Sequence, residues 1–200
     1  MIGLDNSPGM LAKARERLPG STFEEADIVS WQPEARFDLI FANAVLQWVP
    51  DHPGLLTRLV SFLEDGECLA VQMPNNLDEP SHRLMEQVAN QSSWAVKLAS
   101  ASAMKEKIGT FEDYYSWLQQ AGCKVDVWQT TYVHPLDGAG AIVEWFKSTG
   151  LKPYLDPLSS EEQAEYLQRY REEIAMAYPT QADGKVLLRF PRLFFVAQRM

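Results

Sequence analysis

At 200 residues the chain is long enough for one domain with a sizeable core, and its 46% hydrophobic and 22% charged residues are ordinary for a globular protein. A formal net charge of −9 disfavours a nucleic-acid partner, because an acidic surface repels phosphate backbones. No apolar run approaches the roughly 18 residues of a membrane span and no signal-peptide pattern opens the chain, so we expect a cytoplasmic protein. The two cysteines form no metal or disulfide motif, so we expect no metal site. We also expect a monomer.

The first elements alternate between strand and helix. Residues 1–4 have the apolar character of a buried strand, and Ser7 with Pro8 marks the start of a helix that Pro19-Gly20 ends. A short strand at 22–26, a buried strand at 37–42, a helix at 51–63 and a buried strand at 68–73 follow. This order predicts an α/β fold with a doubly wound, Rossmann-like sheet.

The second half is richer in helices. Apolar spacing predicts helices at 82–91, 111–120 and 142–148, and the pair Ser159 and Glu162 forms a capping box that opens another. Strands are predicted at 125–133 and 186–196, where Pro191 requires a bulge or an edge position. We expect a single domain over 1–200 with cap helices within about 74–120 and 136–180. His52, beside Pro53, is expected on the surface.

Three polar residues follow predicted strands. Asp5 and Asp27 each come directly after a strand, and Asn43 follows the strand at 37–42. In open α/β sheets, ligands bind at the carboxyl ends of the strands, where an acidic residue accepts hydrogen bonds from ribose hydroxyls. An acid at Asp27, with Ile28 beside it, suits an adenine ring. For each aspartate, an ordinary turn role remains the alternative.

Several segments carry a family resemblance. GLDNSPGM, EADI and FDLIFANAVLQWVPDH resemble the second, third and fourth motifs of class I methyltransferases. The later blocks QMPNN, EPSH, AGCKVDVWQTTYVH, STGLKPYL and FPRLFFVAQR are similar to the trans-aconitate 2-methyltransferase family, and the resemblance covers essentially the whole chain. It implies transfer of a methyl group from S-adenosylmethionine to one carboxylate of trans-aconitate, which gives a monomethyl ester.

The resemblance also implies roles for individual residues. Asp5 would bind the ribose, Asp27 the adenine amino group, and Met10 and Ile28 would pack near the adenine. Asn43 would lie near the methionine part of the cofactor. The residues that would line the space toward the substrate are Gln47 and Trp48.

The chain departs from the family pattern at its start. The family begins with a helix, then a strand that ends in a DLGCGPG-type loop, then the helix that follows this loop, and none of these is present. In the family's sheet order that strand lies between the strands ending at Leu4 and Ala42, so each should lack a neighbour. We therefore expect a start codon assigned too late or a fragment, and an inactive truncated remnant is kept as an alternative.

A carboxylate acceptor needs no general base, because an acid with a pKa of about 4 is already ionised at neutral pH. We accordingly predict no catalytic acid or base. A different small acid, or a phenol-like acceptor that does need a base, remains the alternative.

A tricarboxylate does need cations or hydrogen-bond donors. Arg192 is favoured over Arg189 because it lies in the family-like block FPRLFFVAQR. Residues three apart on a regular strand face opposite sides, so both arginines could face the site only if Pro191 introduced a bulge. His134 and His82 are further candidates to bind the substrate, each weighed against a structural role. Three aromatic residues are candidates to wall the pocket, with a place in the core as the alternative for each: Trp48, Tyr114 and Trp145.

Overall fold

The computed structural model describes residues 1–91, 94–103 and 108–200. Its strands are β1 (Ile2–Asp5), β2 (Thr22–Glu25), β3 (Phe37–Asn43), β4 (Leu63–Pro74), β5 (Cys123–Leu136) and β6 (Val186–Arg199). Its helices are α1 (Pro8–Arg17), α2 (His52–Ser61), α3 (Pro80–Ala89), α4 (Ala95–Ala103), α5 (Phe111–Gln120), α6 (Gly138–Lys147), α7 (Lys152–Leu155) and α8 (Ser160–Ala177). A 3₁₀ turn, Leu46–Trp48, follows β3. Within the described ranges, no helix combines the length and apolarity needed to cross a membrane.

The strands form two sheets. β1 and β2 pair in parallel, and the second sheet has the order β3-β4-β6-β5. β3 and β4 are parallel, whereas β6 runs antiparallel to both of its neighbours. Among the described residues, no strand pairs with the outer edge of β1 or β3, as the sequence predicted. On that edge of β3, Phe41 is 66% exposed.

One face of the four-stranded sheet is covered by α2 and α5. Successive side chains of a strand point to opposite faces, and the buried odd-numbered residues of β4 and β6, such as Met73 and Phe195, point toward these helices. Tyr114 and Leu118 of α5 belong to the same core. α5 was expected among the cap helices. It packs instead on the sheet, because its apolar side meets β5.

The cap has its own core. Helices α3, α4, α6, α7 and α8 pack together over the first residues of β6, where Val186, Leu188 and Phe190 are buried. Two buried tyrosines of α8 tie it to α3: Tyr170 Oη donates to the carbonyl of Ser81, and Tyr166 Oη donates to that of Met85. These bonds hold α8 and α3 in a fixed relation.

Pro191 lies where one edge of β6 becomes open. β4 pairs with β6 only as far as the pair of Pro74 and Arg192. Just beyond it the backbone N–H of Asn75 donates to the carbonyl of Pro191, and the residues of β6 before Pro191 pair with β5 alone. The register with β5 continues through Pro191 without a shift, so the edge position accounts for this proline and no bulge is needed. Arg189 and Arg192 consequently face opposite sides of the sheet.

The helix starts follow the sequence signals. Ser7 Oγ accepts from the backbone N–H of Met10, and Ser159 and Glu162 form the predicted capping box. A second capping box, between Thr110 and Asp113, opens α5. The hydrogen bond from the Thr110 backbone N–H, and after it the one from the Thr110 hydroxyl, lowers the pKa of the Asp113 carboxyl below its ordinary value.

Replacing Asp113 by asparagine should therefore reduce stability in a pH-dependent way. A carboxyl whose pKa is lower in the folded state stabilises the fold above its unfolded pKa and loses that contribution as the pH falls. We expect Asp113→Asn to melt below the wild type at pH 7, with a difference that shrinks as the pH drops below about 4. Thermal melts from pH 3 to 8 measure this. Glu112→Gln, which alters a neighbouring carboxylate outside the capping box, is the control, and an equal pH dependence in both variants would contradict the assignment.

Candidate functional site

A cavity of about 490 Å³ lies on the sheet face opposite α2 and α5. That volume is in the range of small-molecule sites. Trp128 and Phe194 stack at 5.3 Å between ring centroids and form part of its apolar wall. Asn43, Gln72, Arg192, Tyr132 and His134 bring polar groups to it. The lining of the cavity is therefore mainly apolar, and each strand of the four-stranded sheet contributes at least one polar side chain to it.

Arg192 is the cation of this cavity. Its Nη1 donates to Gln72 Oε1 at 2.7 Å, and its guanidinium carbon lies 5.0 Å from the centre of the Phe190 ring and 5.8 Å from that of Tyr132. Among the described residues, no carboxylate lies within ion-pair distance of Arg192. A half-buried guanidinium without a carboxylate partner is suited to bind an anionic ligand.

His134 reaches the same cavity from β5. Its ring lies 4.9 Å from Trp145, 6.1 Å from Phe190 and 6.5 Å from Tyr132, centroid to centroid. Phe190 and Tyr132 thus contact both His134 and Arg192. Trp145 does not line the cavity directly; it packs against the His134 ring from α6.

The turn after β3 carries Gln47 and Trp48. Its neighbours Ala44 and Asp51 have φ values of 54° and 53°, a left-handed conformation that costs energy outside glycine. Gln47 Nε2 donates to the carbonyl of Ala44 at 2.8 Å, while Gln47 Oε1 is buried and has no hydrogen-bond partner in the part of the chain that the structure describes. Trp48 is 78% exposed. Neither side chain lines the cavity.

The unpaired atom of Gln47 is an acceptor, which bears on its expected role toward the substrate. An ionised carboxylate only accepts hydrogen bonds, so it cannot pair with Gln47 Oε1. This polarity disfavours a direct contact between Gln47 and a carboxylate substrate. It favours a ligand group that donates, such as an ammonium.

His52 was expected on the surface and is in fact buried, with 9% of its surface exposed. Its Nε2 lies 2.8 Å from the carbonyl oxygen of Leu46, which can only accept, so Nε2 carries the proton. Nδ1 then accepts from Tyr114 Oη at 2.6 Å. Burial raises the pKa of the Tyr114 phenol well above its usual range, so that hydroxyl keeps its proton and donates.

Tyr114 is therefore a core residue and does not wall the cavity. Through His52 it fixes the carbonyl of Leu46 at the start of the turn that presents Gln47 and Trp48. The sequence neighbours of His52, Asp51 and Pro53, do not indicate this contact, since Tyr114 is far away along the chain.

His82 lies in the cap core, 8% exposed, with its ring edge-on to Phe146 at 4.8 Å. It does not line the cavity beside Arg192 and His134. The helix that carries it turns its apolar side inward, and His82 lies on that side. The prediction that His82 contacts the substrate gains no support from this position and stays a prediction.

The aspartates expected to bind a nucleoside lie at the ends of β1 and β2. The backbone N–H of Ala26 donates to the carbonyl of Asp5 at 3.1 Å, so Asp27 follows β2 beside the end of β1. Asp5 Oδ1 accepts from the N–H of Ser7, and Asp27 Oδ1 accepts from that of Val29. One carboxylate oxygen of each aspartate thus accepts a hydrogen bond from a backbone N–H two residues further along the chain.

The four residues expected near ribose and adenine do not line the cavity that Asn43 lines. Met10 is exposed on α1. Ile28 is half-buried against the core beneath α2, and its carbonyl accepts from the Arg58 guanidinium. Asp5 and Asp27 thus lie together at the ends of β1 and β2. Asn43 lies at the cavity, at the end of β3, which belongs to the other sheet.

Gln72, Tyr132 and Phe194 also line the cavity and were not among the residues predicted from the sequence. Period-two alternation identifies two of them in retrospect: Tyr132 has the parity of His134 on β5, and Phe194 has that of Arg192 on β6. Gln72 is the polar residue between the buried residues Val71 and Met73 of β4. A residue of that kind in a buried strand signals a partner on a neighbouring strand.

Comparisons with known proteins agree with this architecture. A family model described as a methyltransferase domain matches residues 1–122. The chain is 60% identical over 199 residues to a trans-aconitate 2-methyltransferase of Methylobacterium nodulans, an alignment that covers 100% of this chain and 77% of the relative.

Solved structures show the same fold. The YcgJ protein from Bacillus subtilis superposes with a TM-score of 0.58 at 10% identity, over 100% of this chain and 82% of that one. A phosphoethanolamine N-methyltransferase 2 of Haemonchus contortus, in complex with S-adenosyl-L-methionine, gives 0.51 at 16% identity, over 100% of this chain and 43% of that one. From its sequence identity and its domain match, the chain belongs to the trans-aconitate 2-methyltransferase family of class I methyltransferases.

Proposed function

We propose that this protein transfers a methyl group from S-adenosylmethionine to a carboxylate of trans-aconitate and releases the monomethyl ester. The observation that carries the proposal is Arg192, a guanidinium in an aromatic cavity that has no carboxylate partner among the described residues. On a chain of net charge −9, a polycarboxylate needs such a local cation to bind. The family membership supplies the identity of the substrate.

The residues present fit the cofactor. Gln47 Oε1, a buried acceptor with no partner in the described part of the chain, suits the ammonium of the methionine moiety, with Asn43 near it. Asp5 would accept from the ribose hydroxyls and Asp27 from the adenine amino group, with Met10 and Ile28 packing near the ring. When bound, the cofactor supplies an electrophilic methyl group on a sulfonium.

The chain's task is then alignment rather than proton transfer. The acceptor carboxylate is ionised at neutral pH, so no residue has to remove a proton. Arg192 and His134 would hold the substrate so that one carboxylate oxygen lies in line with the methyl group, at about 3–3.5 Å. The aromatic residues Tyr132, Trp128 and Phe194 line the cavity and would exclude water from this contact, with Trp145 packed behind His134.

The pH dependence of turnover tests the acceptor class. We expect kcat with trans-aconitate to vary by less than about threefold between pH 6 and 9, because the carboxylates are ionised throughout. Production of S-adenosylhomocysteine at saturating substrate measures this. A kcat that rises steeply through neutrality would favour a phenol-like acceptor and an unassigned base. No turnover with any carboxylate would favour the inactive remnant.

A further inference from the structure

Gln72 is a nearly buried amide at the cavity, with 6% of its surface exposed. It lies near the end of β4, between Val71 and Met73, whose side chains point toward α2 and α5. The alternation of β4 therefore directs the Gln72 side chain to the opposite face, where it lines the cavity with Arg192.

The bond to Arg192 fixes the orientation of this amide. A guanidinium has donors only, so the atom of Gln72 that it contacts at 2.7 Å must be the carbonyl oxygen. The amide nitrogen is consequently turned away from Arg192. In the described part of the structure, Gln72 Nε2 is buried and has no hydrogen-bond partner. A buried donor without a partner is costly and calls for an explanation.

We propose that Gln72 Nε2 and the Arg192 guanidinium together bind one carboxylate of the substrate. This inference rests on the proposed function and assigns a second substrate-binding residue to it. The two groups are already joined by their own hydrogen bond, so their donors are held at fixed positions before the ligand arrives. A carboxylate has acceptor sites for both, and each such bond is charge-assisted.

The carboxylate bound by this pair is the one that is not methylated. Donors that bind the oxygens of a carboxylate withdraw electron density from them and make them weaker nucleophiles. A carboxylate placed between Gln72 and Arg192 is thus an anchor, and transfer occurs at another carboxylate of the same molecule. The pair accordingly makes a substrate with at least two carboxylates the preferred class.

Gln72→Met tests this, because methionine keeps the length of the side chain and removes its hydrogen-bonding groups. We expect KM for trans-aconitate to rise about 10- to 100-fold, while kcat changes less than about threefold because the reacting carboxylate is untouched. The affinity for S-adenosylhomocysteine, measured by calorimetry, should stay the same. Gln198→Met, which changes an exposed glutamine of β6 bonded to the carbonyl of Gly66, is the matched control.

Gln72→Glu gives a second measurement. It removes the donor and adds a negative charge beside Arg192, so we expect KM to rise at least as much as in Gln72→Met. A KM near the wild-type value in either variant would overturn the inference while leaving the proposed function standing. A fall in kcat at constant KM would also overturn it. If the wild type neither binds nor methylates trans-aconitate, the proposed function fails and this inference with it.

Discussion

Replacing Arg192 by alanine is expected to raise KM for trans-aconitate about 10- to 150-fold, which corresponds to the loss of hydrogen bonds to a charged group worth about 1.5–3 kcal/mol. Arg192 is the guanidinium of the cavity, and its bonds to the substrate would be charge-assisted. The affinity for S-adenosylhomocysteine should change much less, since Asp5 and Asp27 lie at the ends of the strands of the other sheet. Steady-state kinetics and calorimetry measure the two effects separately.

Arg189→Ala is the matched control. Arg189 lies on the same strand, is exposed and faces the opposite side of the sheet, so both constants should stay at wild-type values. If Arg192→Ala leaves KM for trans-aconitate unchanged, the cavity is not the substrate site.

Replacing Tyr114 by alanine should destabilise the fold by about 3–5 kcal/mol, as for other large aromatic residues in cores. The Tyr114 ring is fully buried, stacks on Phe195 at 5.3 Å and meets Trp117 edge-on at 5.3 Å. Its hydroxyl is the donor to His52. Urea denaturation followed by tryptophan fluorescence gives the free energy of unfolding.

Two further variants divide this effect into its parts. Tyr114→Phe keeps the ring but leaves His52 Nδ1 without its donor, which should cost about 1–3 kcal/mol. Tyr115→Ala removes an exposed neighbour on the same helix and should stay within about 0.5 kcal/mol of the wild type. A Tyr114→Ala protein that is as stable as Tyr115→Ala would contradict the core assignment.

Local chemistry explains what the sequence predicted well. The start of α1 at Ser7 and Pro8, the capping box at Ser159 and Glu162, and the bounds of α5 all depend on residues a few positions apart. Such signals act within one element, so they can be read without knowing the tertiary structure. Asn43, His134 and Arg192, which strand ends and the family resemblance suggested as candidates, line one cavity, and their roles there stay predictions.

What the sequence could not predict concerns contacts between distant elements. His52 lies beside a proline, as many surface residues do, but its partners are Leu46 and Tyr114. His82 faces the cap core because α3 packs against α8, and no local pattern specifies that pairing. Gln72 depends on Arg192 in the same way. For each of these side chains, tertiary packing decides whether its hydrogen-bonding groups meet a partner in the protein or are left for a ligand.

The most direct test is a crystal structure of the protein with S-adenosylhomocysteine and trans-aconitate bound. We predict a trans-aconitate carboxylate at Arg192 and Gln72, a second carboxylate facing the cofactor sulfur, and the ribose hydroxyls at Asp5 with the adenine at Asp27. Trans-aconitate bound elsewhere, or a nucleoside away from both aspartates, would contradict it.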